Sequence, residues 1–359
     1  MRVSPRVLNF YNICMIGSHI IPKFYLEQFA NPSKRKAKPG RIWVYEKGKQ
    51  PDQRATSVQG AENGYFGYVR DDGTLDGILE AAFEENLAQR EAECNEVLVY
   101  SKSHLYYWPF ASREKLAFYA ALLYSRATQR REHSAKNSRY TIDIFEKALN
   151  EDKRLLTDIA ACYRERFNQD FTEHEIRDLL LKPVLDSRGP GAEKNQFLSD
   201  LLENAESIAK LILSKPIWEV WQAPEGVEFI TSDNPLVSAV QLPHGKFHPG
   251  YGFGKSEIIG LFPLAPTACL AAGAFTSGTK GAVGYRSVTA SIVTEVNEAV
   301  LSISDRYVYS KTRSEELQKT VDLYGGTFRY GVNALMPVGI KMPSVAEAGE
   351  ALRKACGIK

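Results

Sequence analysis

The chain has 359 residues, 44% of them hydrophobic and 25% charged, enough apolar content for a folded core and too much for a disordered or fibrous class. A net charge of +2 provides no global attraction to nucleic acid or to a membrane surface. The five scattered cysteines never fall in a C-x-x-C spacing, which argues against zinc and for a reducing, cytoplasmic location; the most apolar window, 261–275, contains Pro263 and Pro266 and is too short to span a bilayer.

In chain order, residues 1–16 differ in character from the rest of the chain and are expected to be a poorly ordered extension, with Met15 an alternative start. Ile20 to Phe29 reads as a short helix: Pro22 is tolerated in its first turn, and Ile21, Tyr25 and Phe29 recur every four residues to form one apolar stripe. Ser18 or His19 then lies at the helix N-terminus, where unpaired backbone N–H groups favour an anion. A basic loop, Lys34 to Lys38, precedes a strand at Arg41–Tyr45, and Gln50 to Gly73 has no strong period.

From Leu75 to about Leu213 the spacing is helical, with breaks expected near Trp108-Pro109, Gln169-Asp170, Lys182-Pro183 and Ser187 to Gly191. After Pro216 short β-rich runs succeed one another, at 217–222, 227–231, 236–240, 258–262 and 267–271. Helical spacing returns at 287–300 and 314–324 around a strand at 306–310, and the tail from 338 to 359 is weakly structured with a short helix at 345–355. The layout predicts a single α+β domain over 17–337, a central helical block packed on a mainly antiparallel sheet built from N- and C-terminal strands.

Polar residues in apolar places mark the candidate site. On the helix from Asp76 to Tyr100 the stripe Leu79, Phe83, Leu87, Cys94 and Leu98 contains Glu91, whose carboxylate therefore points inward, and Glu84 borders the same face. The next helix, from Ser112 to about Ser134, runs Leu116, Tyr119, Leu122 and Leu123 along its apolar face and then places Arg126 and Arg130 where apolar residues should come next. A buried guanidinium needs a partner, because breaking such a pair costs about 3–5 kcal/mol, so Arg126 is expected to meet an acid such as Glu91. Ser232-Asp233-Asn234-Pro235 forms a polar turn between two strand-like runs, where a bulge aims side chains into a cleft or simply makes the turn.

His244 and His248 are four apart in a loop without a nearby acid or cysteine, Gly250 to Lys255 lacks the spacing of a phosphate loop, and hydrolase-elbow, zincin and dinucleotide fingerprints do not occur. No cofactor or metal is implied.

The chain resembles an uncharacterised domain-of-unknown-function family of bacterial and fungal proteins that opens with His-x-x-Pro-x-x-Tyr-Leu-x-x-Phe. Here that motif is His19, Pro22, Tyr25, Leu26 and Phe29. The similarity continues through Val44-Tyr45-Glu46-Lys47, an inward glutamate at Glu91, a helical arginine at Arg126, the motif Phe229 to Pro235 and a later Phe262 to Pro266, in order over roughly 17–310. A departure is that Ala127-Thr128 come after Arg126, where the family usually has a proline. The resemblance implies one large α+β domain, groups His19, Glu91, Arg126 and Asp233, and through its association with accessory genes of microbes implies a defence or toxin-like effector.

The expected function is a hydrolase or transferase, a nuclease among the activities, acting on a phosphate-containing nucleotide or nucleic acid. His19 would serve as general acid or base, Arg126 as anion clamp, Glu91 as its orienting partner and Asp233 as a second acid; Ser232, Asn234, Arg130 and Tyr25 would bind substrate. The alternatives are a binding module that captures the same anion without turnover, and a purely structural network.

Overall fold

The computed structural model describes residues 17–33, 38–103, 110–167, 172–186, 191–243, 245–250, 252–273, 283–327 and 344–355. The N-terminal part comprises β1 (Gly17–His19), α1 (Lys23–Glu27), β2 (Arg41–Glu46), β3 (Asp52–Ala55), a 3-10 turn (Thr56–Val58), β4 (Ala61–Asn63), β5 (Tyr68–Val69) and β6 (Leu75–Asp76). The helices are α2 (Gly77–Ser103), α3 (Phe110–Ser125), α4 (Thr128–Glu151), α5 (Lys153–Phe167), α6 (Glu173–Asp186) and α7 (Ala192–Leu213). The rest is β7 (Ile217–Gln222), β8 (Thr231–Ser232), β9 (Val237–Gln241), β10 (Phe247–Pro249), β11 (Ile258–Ala265), β12 (Ala268–Gly273), β13 (Val283–Ser287), α8 (Ala290–Ile303), β14 (Tyr307–Ser310), α9 (Glu315–Tyr324) and α10 (Val345–Ala355). This is the expected α+β class.

The main sheet has the order β10-β9-β11-β12-β7-β13, antiparallel except for the edge pair β13–β7. Alternation along its strands sends Trp218, Val220, Phe262, Leu264 and Leu270 to one face, against α1, α3 and α7. It sends Trp221, Val237, Leu261, Cys269 and Ala271 to the other, against α8. A sheet covered on both faces explains why β11 reads as a continuous apolar run rather than an alternating one. The second sheet, β3-β2-β14-β8, joins the N-terminal strand to the C-terminal part of the chain as the sequence predicts.

Local departures have identifiable causes. The opening stretch is not one helix from Ile20: β1 pairs with β4, and α1 covers only Lys23–Glu27, with Pro22 just before it. Ile21, Tyr25 and Phe29 are nonetheless fully buried, so the stripe is right although the helix is shorter. Run 227–231 yields only the two-residue β8, while the featureless 50–73 segment carries short strands. Helix α6 continues through Pro183 in place of the expected break. Leu79 is half exposed and lies off the buried stripe of α2.

Helix α10 packs against α4 through buried Ala348, with Ile144 and Ala148 on the other side, and Arg353 pairs with Asp152 at 2.7 Å. Residues 1–16, Lys34 to Ala37 of the basic loop, His244, Tyr251 and the breaks at 108–109, 169–170 and 187–190 lie outside the described residues.

Candidate functional site

Strand β1 sends successive side chains to opposite sides, so Ser18 and His19 serve different neighbourhoods. Ser18 is fully buried; its hydroxyl donates to Glu80 Oε1 at 2.7 Å and accepts from the Phe66 N–H at 3.5 Å. His19 is half-buried, and its Nε2 lies 3.4 Å from the Ser57 carbonyl oxygen. In the tautomer that donates there, Nδ1 keeps its lone pair. The histidine thus sits on a paired strand before α1, not at a helix N-terminus, and its partner is a backbone carbonyl.

Glu80, Glu84 and Glu91 succeed one another on α2 at spacings of four and seven, which sets all three on one helical face. Glu91 bonds Arg126, whose side chain is 1% exposed, so the pair expected from the sequence forms. Nε and Nη2 of Arg126 are buried and have no hydrogen-bond partner among the described residues, and the same holds for Glu84 Oε1. Burial pushes the Glu84 carboxyl above the usual glutamate range, and the neighbouring carboxylates of Glu91 and Glu80 act in the same direction against Ser18 and Arg126.

Arg126 closes helix α3, its N–H still bonded to the Leu122 carbonyl at 3.2 Å, and the chain breaks immediately after it. Helix α3 ends at Ser125, Ala127 has φ −59° and ψ 141°, and α4 begins at Thr128. The carbonyl of Arg126 accepts the Tyr65 hydroxyl at 2.7 Å, which satisfies a group that a continuous helix would have bonded internally. The single helix expected from Ser112 to about Ser134 is therefore two helices, broken at alanine. Just beyond it Arg130 is buried with its guanidinium 3.5 Å from the centroid of the Tyr124 ring, and Arg131 lies over Tyr65 and 3.6 Å from Glu62. Lys194 donates to the Gly64 carbonyl, and burial first, then Arg131, lowers its pKa.

The S-D-N-P turn is a second polar group with a different character. Asp233 accepts three backbone N–H bonds, from Asp305 and Arg306 at 2.7 Å and Tyr307 at 2.8 Å. Burial, and then the Asp305 charge, push its carboxyl up to about 6 against the pull of those amides. Ser232 Oγ donates to the Asn234 carbonyl at 3.0 Å and accepts the Asn234 N–H at 3.2 Å, closing a local turn.

Asn234 Nδ2 donates to the Ile303 carbonyl at 3.2 Å, the oxygen that Gln129 Nε2 also reaches at 3.2 Å. The last turn of α8 thus ties the turn to the residues just after Arg126. Tyr25 is fully buried, donates to the Pro263 carbonyl at 2.7 Å, meets Thr231 Oγ1 at 2.8 Å and stacks on Phe262.

Of the residues singled out in the sequence, Glu91 and Arg126 meet directly, Ser232, Asp233 and Asn234 form one turn, and Asn234 reaches the Arg126 end of the site through Ile303. His19, by contrast, hydrogen-bonds to Ser57, which belongs to neither group. Sequence reasoning named Ser18 as a helix N-terminal residue but missed its partner Glu80 and the extent to which Glu84 is enclosed. The i, i+4 spacing of Glu80 and Glu84, extended by the seven residues to Glu91, is the signal that could have found them. No group of three acidic, histidine or cysteine side chains among the described residues is arranged to hold a metal ion.

An α+β domain with a buried arginine–glutamate pair at a helix break and an S-D-N-P turn anchoring the adjacent sheet defines the class of this protein. The chain belongs to the family described as protein of unknown function DUF4238, whose model matches residues 18–314. Neither a curated protein nor a solved structure matches the chain. Among the described residues no helix is long and apolar enough to cross a membrane.

Proposed function

We propose that the polar face between α2 and the end of α3 receives the anionic group of a phosphate-containing substrate, a nucleotide or nucleic acid, and that the chain acts on it as a cytoplasmic hydrolase or transferase. The observation that carries this reading is Arg126: a guanidinium 1% exposed, with one nitrogen on Glu91 and two others without partners among the described residues. Buried N–H donors are rarely left unpaired, and a planar fork of this kind matches an oxyanion in two-point contact.

In this reading Glu91 orients the fork; His19, bonded to Ser57 on the opposite side of β1 from Ser18, stands apart from the anion-binding group and is assigned no proton step there. Asp233, Ser232 and Asn234 act at one remove by holding the turn and the end of α8; Tyr25 sets α1 on the sheet. Arg130, beside Arg126 on the next turn, adds positive charge for the substrate.

The test pairs binding with turnover. Inorganic phosphate and a panel of nucleotides and oligonucleotides should raise the melting temperature of the wild type, and Glu91→Gln/Arg126→Gln should abolish that rise. Phosphate or nucleotide release should be lost together with binding in that variant. Anion-dependent stabilisation without turnover of any of these pools would leave a binding module; no stabilisation by any anion would refute the site.

A further inference from the structure

Glu84 differs from the other two acids on this face of α2. Glu91 is committed to Arg126 and Glu80 accepts the Ser18 hydroxyl, whereas Glu84 Oε1 is buried without a hydrogen bond among the described residues. An ionised carboxylate there would face two other acids on its own helix at spacings of four and seven. Ser18 and Arg126 oppose this repulsion, but Oε1 itself stays without a hydrogen bond among the described residues, as do Nε and Nη2 of Arg126.

Both orphans are explained if one group fits against them. We propose that Glu84 is a proton-donating, specificity-determining residue of this site, its un-ionised carboxyl hydrogen-bonding through the unpartnered oxygen to an oxyanion held on the two open N–H groups of Arg126. The inference rests on the anion site proposed above and deepens it. The ligand class is then a fully ionised, acceptor-rich oxyanion such as a terminal phosphoryl or sulfate group, because every protein group offered to it is a donor.

The surroundings fit that assignment. Burial, first, and the carboxylates of Glu91 and Glu80 favour the neutral form of Glu84, opposed by Ser18 on β1 and by Arg126 at the end of α3. Further out, Lys194 on α7 and Arg131 on α4 balance Glu80 and Glu62, and Arg130 on α4 adds one positive charge, so ionisation of Glu84 cancels that charge and weakens the attraction for the anion. Anion affinity is therefore tied to one proton: it is constant while Glu84 is protonated and falls about tenfold per pH unit above its pKa.

Sulfate is the probe, since it stays a dianion across the range and adds no titration of its own. Its dissociation constant is measured by calorimetry between pH 5 and pH 8.5 on the wild type, Glu84→Gln, Glu84→Ala and His19→Gln. Expected is a wild-type affinity that falls with pH to a limiting slope of tenfold per unit and a Glu84→Gln affinity that is retained and flat, because the amide still donates. Glu84→Ala should lose at least tenfold at the acid end, and the His19→Gln profile should keep the wild-type slope.

A slope that survives in Glu84→Gln, or one that disappears in His19→Gln, overturns the role of Glu84. If Glu84→Gln does not fold, infrared spectroscopy of the wild type at pH 5 decides: sulfate must perturb the carbonyl band of an un-ionised carboxylic acid, and its failure to do so overturns the proposal. Binding that depends on Arg126 but not on pH removes this inference alone. No sulfate binding at any pH removes the anion site itself.

Discussion

Replacing Asp233 by Ala separates a chemical role for the S-D-N-P turn from a structural one. The substitution strands three backbone N–H groups, those of Asp305, Arg306 and Tyr307, now bonded at 2.7, 2.7 and 2.8 Å. The Arg306 amide is exposed and can be rehydrated; the other two are part-buried and lose about 1–3 kcal/mol each. Relief of the carboxylate's own desolvation offsets part of this, leaving a net loss of about 2 kcal/mol near neutral pH, or about 3 °C in melting temperature for a chain of this length.

The sign of the pH dependence comes from the same carboxyl. A folded pKa of about 6 lies above the usual aspartate value of 3.8, so the folded state binds more protons between them. Stability from this group is full below the lower value and is lost as pH rises through the upper one. The deficit of Asp233→Ala should accordingly be larger at pH 4.5 than at pH 7.5, by roughly 1–2 kcal/mol. Urea melts at both pH values and amide exchange at 305–307 read the effect. A variant within about 0.5 kcal/mol of wild type at both, with unaltered exchange, would refute the reasoning; unchanged stability with activity lost would move Asp233 into the chemistry.

Glu91→Ala leaves the Arg126 guanidinium buried with no carboxylate bonded to it and should cost about 3–5 kcal/mol in urea denaturation, whereas Glu91→Ala/Arg126→Met should recover much of it. Tyr25→Phe removes the hydroxyl bonded to Pro263 and Thr231 but keeps the stack on Phe262; a loss of about 1–2 kcal/mol is expected, and a loss above about 4 would mean that the ring had moved. Ser314→Ala deletes the N-cap whose Oγ accepts the Leu317 N–H at 3.0 Å and should cost about 1 kcal/mol, measured as a shift in urea midpoint.

Period and composition carried much of the fold: the α+β layout, the joining of N- and C-terminal strands and helix 345–355 were legible because each arises from local pattern. The Glu91–Arg126 pair was legible for a different reason, since a charge on an apolar stripe must find its opposite. What escaped depends on tertiary contacts. β1 is a strand because β4 lies beside it, and α6 runs through Pro183, neither of which a local window reports. Glu80 looks solvent-facing until Ser18, sixty-two residues earlier, closes over it.

The helix break at Ala127 is made without a proline. A proline after Arg126 would end α3 by removing an N–H and crowding the preceding turn. Here Tyr65 bonds the Arg126 carbonyl at the end of α3, and the Gln129 side chain on the first turn of α4 donates to the Ile303 and Ser304 carbonyls at the end of α8. The break is thus held by tertiary hydrogen bonds rather than by local chemistry. Because Asn234 shares the Ile303 carbonyl with Gln129, the same bonds join the S-D-N-P turn to the arginine, two motifs more than a hundred residues apart. A helix continuing through residue 127 would leave Arg126 on α3 but redirect α4 and withdraw Gln129 from α8, which makes the kink the element that holds the S-D-N-P turn beside the arginine.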